Sequence, residues 1–232
     1  MREAIDKLLA QLHFKGMTES LEPILAQADA QGLPATEVVL RLLQEEWRYR
    51  QERRLAYRLD QAKLPWDWAL ESFPFARQPG VNAAHIKGLA GLGFIPRAEN
   101  LIFIGPPGTG KSGLTVGLLR EALLNGYRAR FYKAQELFDE LGYLTLKPEQ
   151  VNAFFKLMDL RYARKPSIIT TNLDYPHWYE LFQRKPLVDA LLDRLQHHCI
   201  TIRIDGPSLR VPDHDPDPPS AKRARKTSTT KP

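Results

Sequence analysis

The sequence predicts an α/β fold, in which helices cover both faces of a parallel sheet and a small helical domain precedes the sheet. Two patterns predict it. From residue 100 onward, short apolar runs typical of strands alternate with longer runs typical of helices, and such alternation produces a parallel sheet. Before residue 65 the apolar residues recur at helical spacing alone. We therefore expect a helical module at 1–64, a linker at 65–98, an α/β domain at 99–210 and a disordered tail at 211–232.

The N-terminal module is expected to contain three helices. Apolar residues recur at i, i+3, i+4 and i+7 in 5–12 and in a similar pattern in 38–47, and Gly16, Gly32 and Pro34 separate the helices. The last helix contains the string WRYRQERRLAYR, with five arginines against one glutamate. Two interpretations stay open for this string: a solvated helix face, or a surface that faces phosphates or a partner.

The linker and the α/β domain follow from the same kind of pattern. The aromatic string PWDWALESFPF indicates an ordered linker that packs on its neighbour before a short helix at about 85–92. Strands are predicted at 101–104, 128–132, 167–171 and 200–204, and helices at 111–124, 149–162 and 178–197.

Composition and charge exclude several classes of protein. Hydrophobic residues make up 43% of the 232 residues, no apolar run is long enough to cross a membrane, and the start MREAIDKLL is too charged for a signal peptide. The single cysteine, Cys199, allows no internal disulfide and no cysteine-based zinc site, so we expect a cytoplasmic protein. The net charge is +6, but 221–232 contains five cations and no acid, which leaves about +1 for the rest of the chain.

The strongest functional signal is the string GPPGTGKS, which matches the phosphate-binding loop (P-loop) pattern between a predicted strand and a predicted helix. Its glycines let backbone N–H groups face phosphates, and the helix N-terminus adds its dipole. We expect Lys111 to reach the β- and γ-phosphates and the Ser112 hydroxyl to bind Mg²⁺. The loop predicts ATP or GTP without choosing between them. The predicted nucleotide-binding residues are Gly105, Pro106, Pro107, Gly108, Thr109, Gly110, Lys111 and Ser112.

Two further polar residues are candidates for the site. Asn172 follows the predicted strand at 167–171, at the edge where open parallel sheets bind nucleotides. It orients an attacking water or senses the γ-phosphate, or it only closes an Asx turn. Arg194 is a candidate arginine finger for the phosphate of a neighbouring subunit, with Arg184 as a competitor and a surface ion pair as the alternative. A finger supplied by a neighbour predicts ATP-dependent self-association.

These motifs and the longer strings around them resemble the IstB-like ATP-binding proteins of bacterial insertion sequences, AAA+ relatives of the DnaC-type helicase loaders. The strings are AENLIFIGPPGTGKS, DELGYLTLKPEQVNAFFKLMDLRYARKPSIITTNLDYP and RKPLVDALLDRLQHHCITIRIDGPSLR, and the resemblance extends from about residue 1 to residue 210. It implies a helper of transposition that binds ATP, assembles on DNA and engages the transposase. It also implies that 105–112 hold the triphosphate, that Asn172 is the sensor and that Arg194 is the finger.

The acidic pair departs from the family's pattern. In such ATPases an aspartate that holds magnesium and a glutamate that acts as base end a separate strand. The Asp-Glu pair here, Asp139 and Glu140, follows the run at 128–134, which is interpreted as the strand after the P-loop helix, after only four residues, whereas a parallel crossover needs about a dozen or more. We therefore expect an internal deletion of roughly 20 to 30 residues before Asp139 and a sheet that lacks one strand.

The deletion has two possible consequences for the acidic pair. Either Asp139 and Glu140 lie on a helix away from the phosphates, or a strand from Arg128 extends to Phe138 and ends at them. In both cases we expect a protein that binds ATP better than it hydrolyses it.

Two other functions stay open. A DnaC-type helicase loader differs mainly in the partner of the N-terminal module. A small-molecule P-loop kinase would need a substrate lid and an arginine cluster, and no segment between Asn172 and Arg210 supplies them. DNA binding is expected to be sequence-tolerant and salt-sensitive, with a contribution from the basic tail.

Overall fold

The computed structural model describes residues 2–133, 148–179 and 185–210. In chain order the elements are α1 (Arg2–Gln11), α2 (Lys15–Gln31), α3 (Ala35–Ala62), α4 (Ala83–Ala90), β1 (Asn100–Ile104), α5 (Lys111–Leu124), α6 (Pro148–Arg161), β2 (Ile168–Thr171), α7 (Lys185–His197) and β3 (Cys199–Arg203). Short 3-10 turns lie at Leu70–Ser72, Phe75–Arg77 and Tyr175–His177.

The three predicted N-terminal helices are present as α1, α2 and α3. Gly16 does not separate two helices as expected; it lies in the first turn of α2, where an added Cβ would lie 2.7 Å from the Glu45 carbonyl oxygen. Glu46 joins α2 to α3, because its buried carboxylate accepts the Met17 amide at 3.2 Å and the Arg50 Nε at 2.6 Å. Glycine at position 16 therefore serves close packing of the two helices.

The sheet of the described residues has three parallel strands in the order β2-β1-β3. Leu101 of β1 pairs with Ile168 of β2 on one side and with Ile200 of β3 on the other. All five residues of β1 are buried, as expected for a central strand flanked by two neighbours. The α/β fold class and three of the four predicted strands are thus confirmed.

The fourth predicted strand, at 128–132, is wrong. This segment forms no strand, and its Phe131 amide donates instead to the carbonyl oxygen of Ala62 at the end of α3, at 2.8 Å. A strand needs a neighbour with unpaired backbone groups. The Phe131 amide takes its acceptor from the end of α3 instead, although the outer edges of β2 and β3 pair with no described strand.

Helices cover both faces of the sheet, as predicted, because alternate residues of β1 point to opposite sides. On one side Leu101 and Phe103 pack with α4, α5 and the linker residues Leu70 and Phe73. On the other, Ile102 and Ile104 pack with side chains of α6, α7 and Trp178. The helix predicted at 178–197 is confirmed over Lys185–His197, and 180–184 lie outside the described residues.

Candidate functional site

The P-loop at 105–112 connects the buried strand β1 directly to α5. Gly108 and Gly110 have φ of 84° and 91°, in the left-handed region that side chains rarely adopt. An added Cβ at Gly110 would also lie 2.6 Å from the Phe73 ring. The loop therefore needs glycine at both positions, which explains the spacing of the motif.

Lys111 lies in the first turn of α5 and folds back over its own loop. Its Nζ donates to the carbonyl oxygens of Gly105 and Pro106, at 2.6 and 2.7 Å. Burial lowers the pKa of Lys111, and the positive charge of Arg210 lowers it further. Because both hydrogen-bond partners are neutral, an anionic ligand would be a stronger partner for this ammonium group.

A cavity of about 550 Å³ opens beside the P-loop. Lys111 and Ser112 line it together with Thr170, Thr171 and Asn172 at the end of β2. Its volume is within the range of about 300 to 1,000 Å³ that small-molecule sites occupy. The structure thus brings together the P-loop and Asn172, as the parallel sheet predicted.

Asn172 is exposed at this edge of the sheet. The Gly105 amide donates to the Thr171 carbonyl oxygen at 3.2 Å, which fixes the end of β2 beside the start of the P-loop. The local turn is closed by Thr171, whose hydroxyl accepts the Leu173 amide at 3.0 Å. This turn is an ST turn of Thr171 rather than an Asx turn of Asn172.

Sequence reasoning missed two residues at this site, Gln78 and Arg210. Gln78 is fully buried, and its Nε2 donates to the carbonyl oxygens of Thr109 at 3.2 Å and Pro207 at 2.9 Å. The Leu209 amide donates to the Gly108 carbonyl oxygen at 2.9 Å. The linker and the chain after β3 together hold the P-loop in place.

Arg210 lines the cavity beside Lys111 and, like Arg77, adds a positive charge to it. A signal for Arg210 was present in the sequence, because residues that follow parallel strands collect at one sheet edge, and Arg210 follows β3. The signal for Gln78 was absent, because its two partners are 31 and 129 residues away.

An aromatic wall closes another part of the cavity. Trp66, Trp68 and Phe73 line it, and Trp66 is 45% exposed. The Trp68 indole N–H is buried and has no hydrogen-bond partner among the described residues. Three cations, Arg77, Lys111 and Arg210, and an aromatic wall around one cavity fit a ligand that has both a polyanionic and a flat apolar part.

Arg194 lies three residues before the end of α7, whereas Arg184, Asp139 and Glu140 lie outside the described residues. Within the part of the chain that the structure describes, no group of three or more His, Cys, Asp or Glu residues could hold a metal ion. No described helix is both long and apolar enough to cross a membrane.

Comparisons with known proteins agree with this geometry. The family model described as "IstB-like ATP binding protein" matches residues 7–141 and 136–215. An ATP-binding protein of insertion sequence IS21 from Pseudomonas aeruginosa is 35% identical, covering 89% of this chain and 88% of the relative. A corresponding protein of IS5376 from Geobacillus stearothermophilus is 31% identical over 91% of this chain and 95% of the relative.

The same alignments show a gap in this chain. The P. aeruginosa alignment runs over 234 positions but contains 89% of the 232 residues, about 206, so about 28 positions have no residue here. The G. stearothermophilus alignment, over 238 positions with 91% of the chain, about 211 residues, leaves about 27. The two segments of the family match overlap at 136–141, around Asp139 and Glu140.

A solved structure, that of DnaI, shares the fold. It superposes with a TM-score of 0.50 at 16% identity, covering 62% of this chain and 90% of DnaI. This likeness supports the α/β fold.

Proposed function

This chain belongs to the IstB-like family of insertion-sequence ATP-binding proteins, and from that premise we propose that it is an ATP-binding helper of DNA transposition that assembles on DNA and engages the transposase. The observation that carries the proposal is the cavity beside Lys111 and Ser112, at the carboxyl end of a buried central strand. Such a helper works on DNA in the cytoplasm, where Cys199 stays a free thiol.

In this proposal the P-loop binds the triphosphate of ATP. Lys111 exchanges its two carbonyl partners for phosphate oxygens, the loop amides and the N-terminus of α5 donate to the same group, and Arg210 adds a further positive charge. The aromatic wall of Trp66, Trp68 and Phe73 suits the adenine ring.

Magnesium is the metal that this donor set fits, since the site offers a hydroxyl at the start of α5 and hard phosphate oxygens come with the ligand. Ser112 would hold it, with Asp139 as the acidic candidate. When bound, Mg²⁺ screens the charge of the phosphates.

Asn172 is proposed as the sensor of the γ-phosphate, because it lies exposed at the edge of the same cavity. Arg194 is proposed to act on a neighbouring subunit. It precedes β3 by five residues, and the start of β3 pairs with the start of β1, at the sheet edge opposite the P-loop. A five-residue strand spans about 16 Å, which supports a role in trans rather than at the chain's own site.

Hydrolysis is proposed to be weak. About 28 aligned positions are missing, and the two matched segments meet at the acidic pair, which supports the loss of the strand that aims Asp139 and Glu140 in the family. The P-loop has its own strand and helix and does not depend on that segment for its conformation.

Nucleotide measurements on the full chain test both parts of the proposal. A fluorescent ATP analogue should bind with Mg²⁺, and Lys111→Ala should weaken binding by roughly 100-fold, the loss of a charged hydrogen-bond partner. Single-turnover hydrolysis should be slow and insensitive to Glu140→Gln. Rapid hydrolysis that Glu140→Gln abolishes would show that the acidic pair still reaches the γ-phosphate.

Assembly and partner are tested separately. ATP with duplex DNA should produce oligomers larger than those formed with ADP, and Arg194→Ala should prevent them while leaving nucleotide binding intact. Arg164→Ala, at an exposed arginine after α6, is the matched control. If affinity capture with the full chain recovered a replicative helicase instead of the transposase, the loader alternative would replace the transposition role.

A further inference from the structure

The C-terminal end of α3 lies against the segment that follows α5. Residues 53–63 and 127–133 together are called the seam. Arg58 Nε donates to the Leu123 carbonyl oxygen at 3.1 Å, and the Phe131 amide donates to the Ala62 carbonyl oxygen at 2.8 Å. Ala62 and Leu123 are fully buried, so these contacts fix the end of α3 to the end of α5 and to the segment after it.

The seam concentrates positive charge. Its two segments contain seven cations and one acid, Asp60. Arg54, Lys63, Arg128 and Arg130 are all exposed. Arg58 lies one helical turn after Arg54, on the same side of α3. Two segments that are far apart in the sequence thus form one basic surface.

Seven arginines elsewhere on the described surface are matched by carboxylates. Ion pairs join Arg2 to Asp6 and Glu22, Arg41 to Glu37, Arg48 to Glu45, Arg50 to Glu46, Arg97 to Glu99, Arg120 to Asp67 and Arg203 to Asp174. At the seam, by contrast, the side chains of Arg54, Lys63 and Arg128 make no hydrogen bond or ion pair with any described residue. These three cations are therefore available to a ligand outside the chain.

Exposed tyrosines accompany these cations. Tyr57, Tyr127 and Tyr132 are 65%, 40% and 45% exposed. The Arg130 guanidinium lies 5.0 Å from the centre of the Tyr132 ring and covers one of its faces. Tyrosine hydroxyls, like arginine, donate hydrogen bonds to phosphate oxygens.

We propose that the seam contacts the phosphate backbone of duplex DNA. This inference rests on the proposed function, in which the protein assembles on DNA, and it names the surface that does so. Exposed cations with a single carboxylate, Asp60, among them match a uniform line of phosphates, whereas a protein partner would present both charge signs and an apolar centre. The contact is independent of base sequence, because phosphates carry no sequence information.

The assignment divides the basic string of α3 into two parts. Arg48 and Arg50 form ion pairs with Glu45 and Glu46, so their charges are neutralised within α3. Arg54, one turn further, belongs to the seam. In this proposal the interpretation as a solvated helix face applies to Arg48 and Arg50. The interpretation as a phosphate-facing surface applies to Arg54.

The test compares two full-length triple variants of equal charge change. Arg54→Ala, Arg128→Ala and Arg130→Ala together remove seam cations, and Arg2→Ala, Arg48→Ala and Arg97→Ala remove three paired cations from other surfaces. Binding of a fluorescein-labelled duplex of arbitrary sequence is measured by anisotropy over a range of salt concentrations. Binding of a fluorescent ATP analogue serves as the fold control.

The seam variant should bind duplex roughly tenfold or more weakly at low salt, and the slope of log K against log salt should become shallower by up to about 2.7 for three lost phosphate contacts. The control variant should keep the slope, and lysine at the three seam positions should restore most of the binding. Equal duplex binding and salt slope for the two alanine variants, or a loss of binding confined to single-stranded DNA, would contradict the assignment of the seam to duplex DNA. Absence of DNA binding by the unmodified protein would instead overturn the proposed function.

Discussion

The α/β body and the helical module bury their apolar residues to different degrees. Every residue of β1 is buried, and Leu114, Val116 and Leu118 of α5 are fully buried as well. In the module, α1 has no buried residue. Large side chains of α1, of the residue that follows it and of α3 are about half exposed or more: Leu8 56%, Leu12 56%, Val39 55%, Leu40 49%, Leu43 52% and Trp47 64%. The nucleotide site therefore lies on the densely packed region, and the module has the looser surface.

The largest expected effect is on the free energy of unfolding, which should change much more for a substitution in the α/β body than for one in the module. Phe103→Ala should lower the free energy of unfolding by about 3 to 5 kcal/mol, because it leaves a cavity between β1 and α5. Trp47→Ala, at an exposed aromatic of α3, should change it by less than about 0.5 kcal/mol. Urea unfolding followed by circular dichroism measures both. Similar losses would mean that the module is as tightly packed as the body.

A smaller effect is expected at the joint within the module. Glu46→Ala removes the acceptor of the buried Met17 amide and should cost about 1 to 3 kcal/mol. Glu37→Ala breaks the more exposed pair with Arg41 and should cost less than about 1 kcal/mol. The same unfolding measurement compares them. A negligible loss at Glu46 would show that packing around Gly16 alone holds α2 to α3.

The smallest effect concerns the charge of the nucleotide site. ATP favours protonated Lys111, so its affinity should fall as pH rises through the lowered pKa of that lysine, before the ordinary lysine pKa of about 10.4 is reached. Arg210→Ala removes a neighbouring positive charge, which raises the pKa of Lys111 and moves the fall to higher pH.

Affinity of a fluorescent ATP analogue measured against pH checks this, with Lys111→Arg as the control that stays charged throughout. The change should be a few-fold over one pH unit near the pKa. An identical pH profile for Lys111→Arg and the unmodified protein would contradict a role for the ammonium charge of Lys111.

Local elements of the body were well predicted from the sequence. Helix α5 has the predicted bounds, because the P-loop glycines define its start and its apolar pattern is continuous. The predicted strand at 128–132 failed, although its composition is that of a strand, because the Phe131 amide has its acceptor at Ala62. The expected deletion is supported by the alignments, even though the argument for it began from that strand.

The sequence by itself determined the parts whose contacts lie within a few residues: the helices, the buried strands and the phosphate-binding loop. Tertiary structure alone decided that Gln78 joins Thr109 to Pro207, that Arg210 faces Lys111, and that the end of α3 meets the segment after α5. Helical periodicity and glycine conformation act locally, so they are visible in a short window of sequence. A buried amide or carbonyl takes whichever partner the completed fold brings near it, and that choice depends on the whole chain.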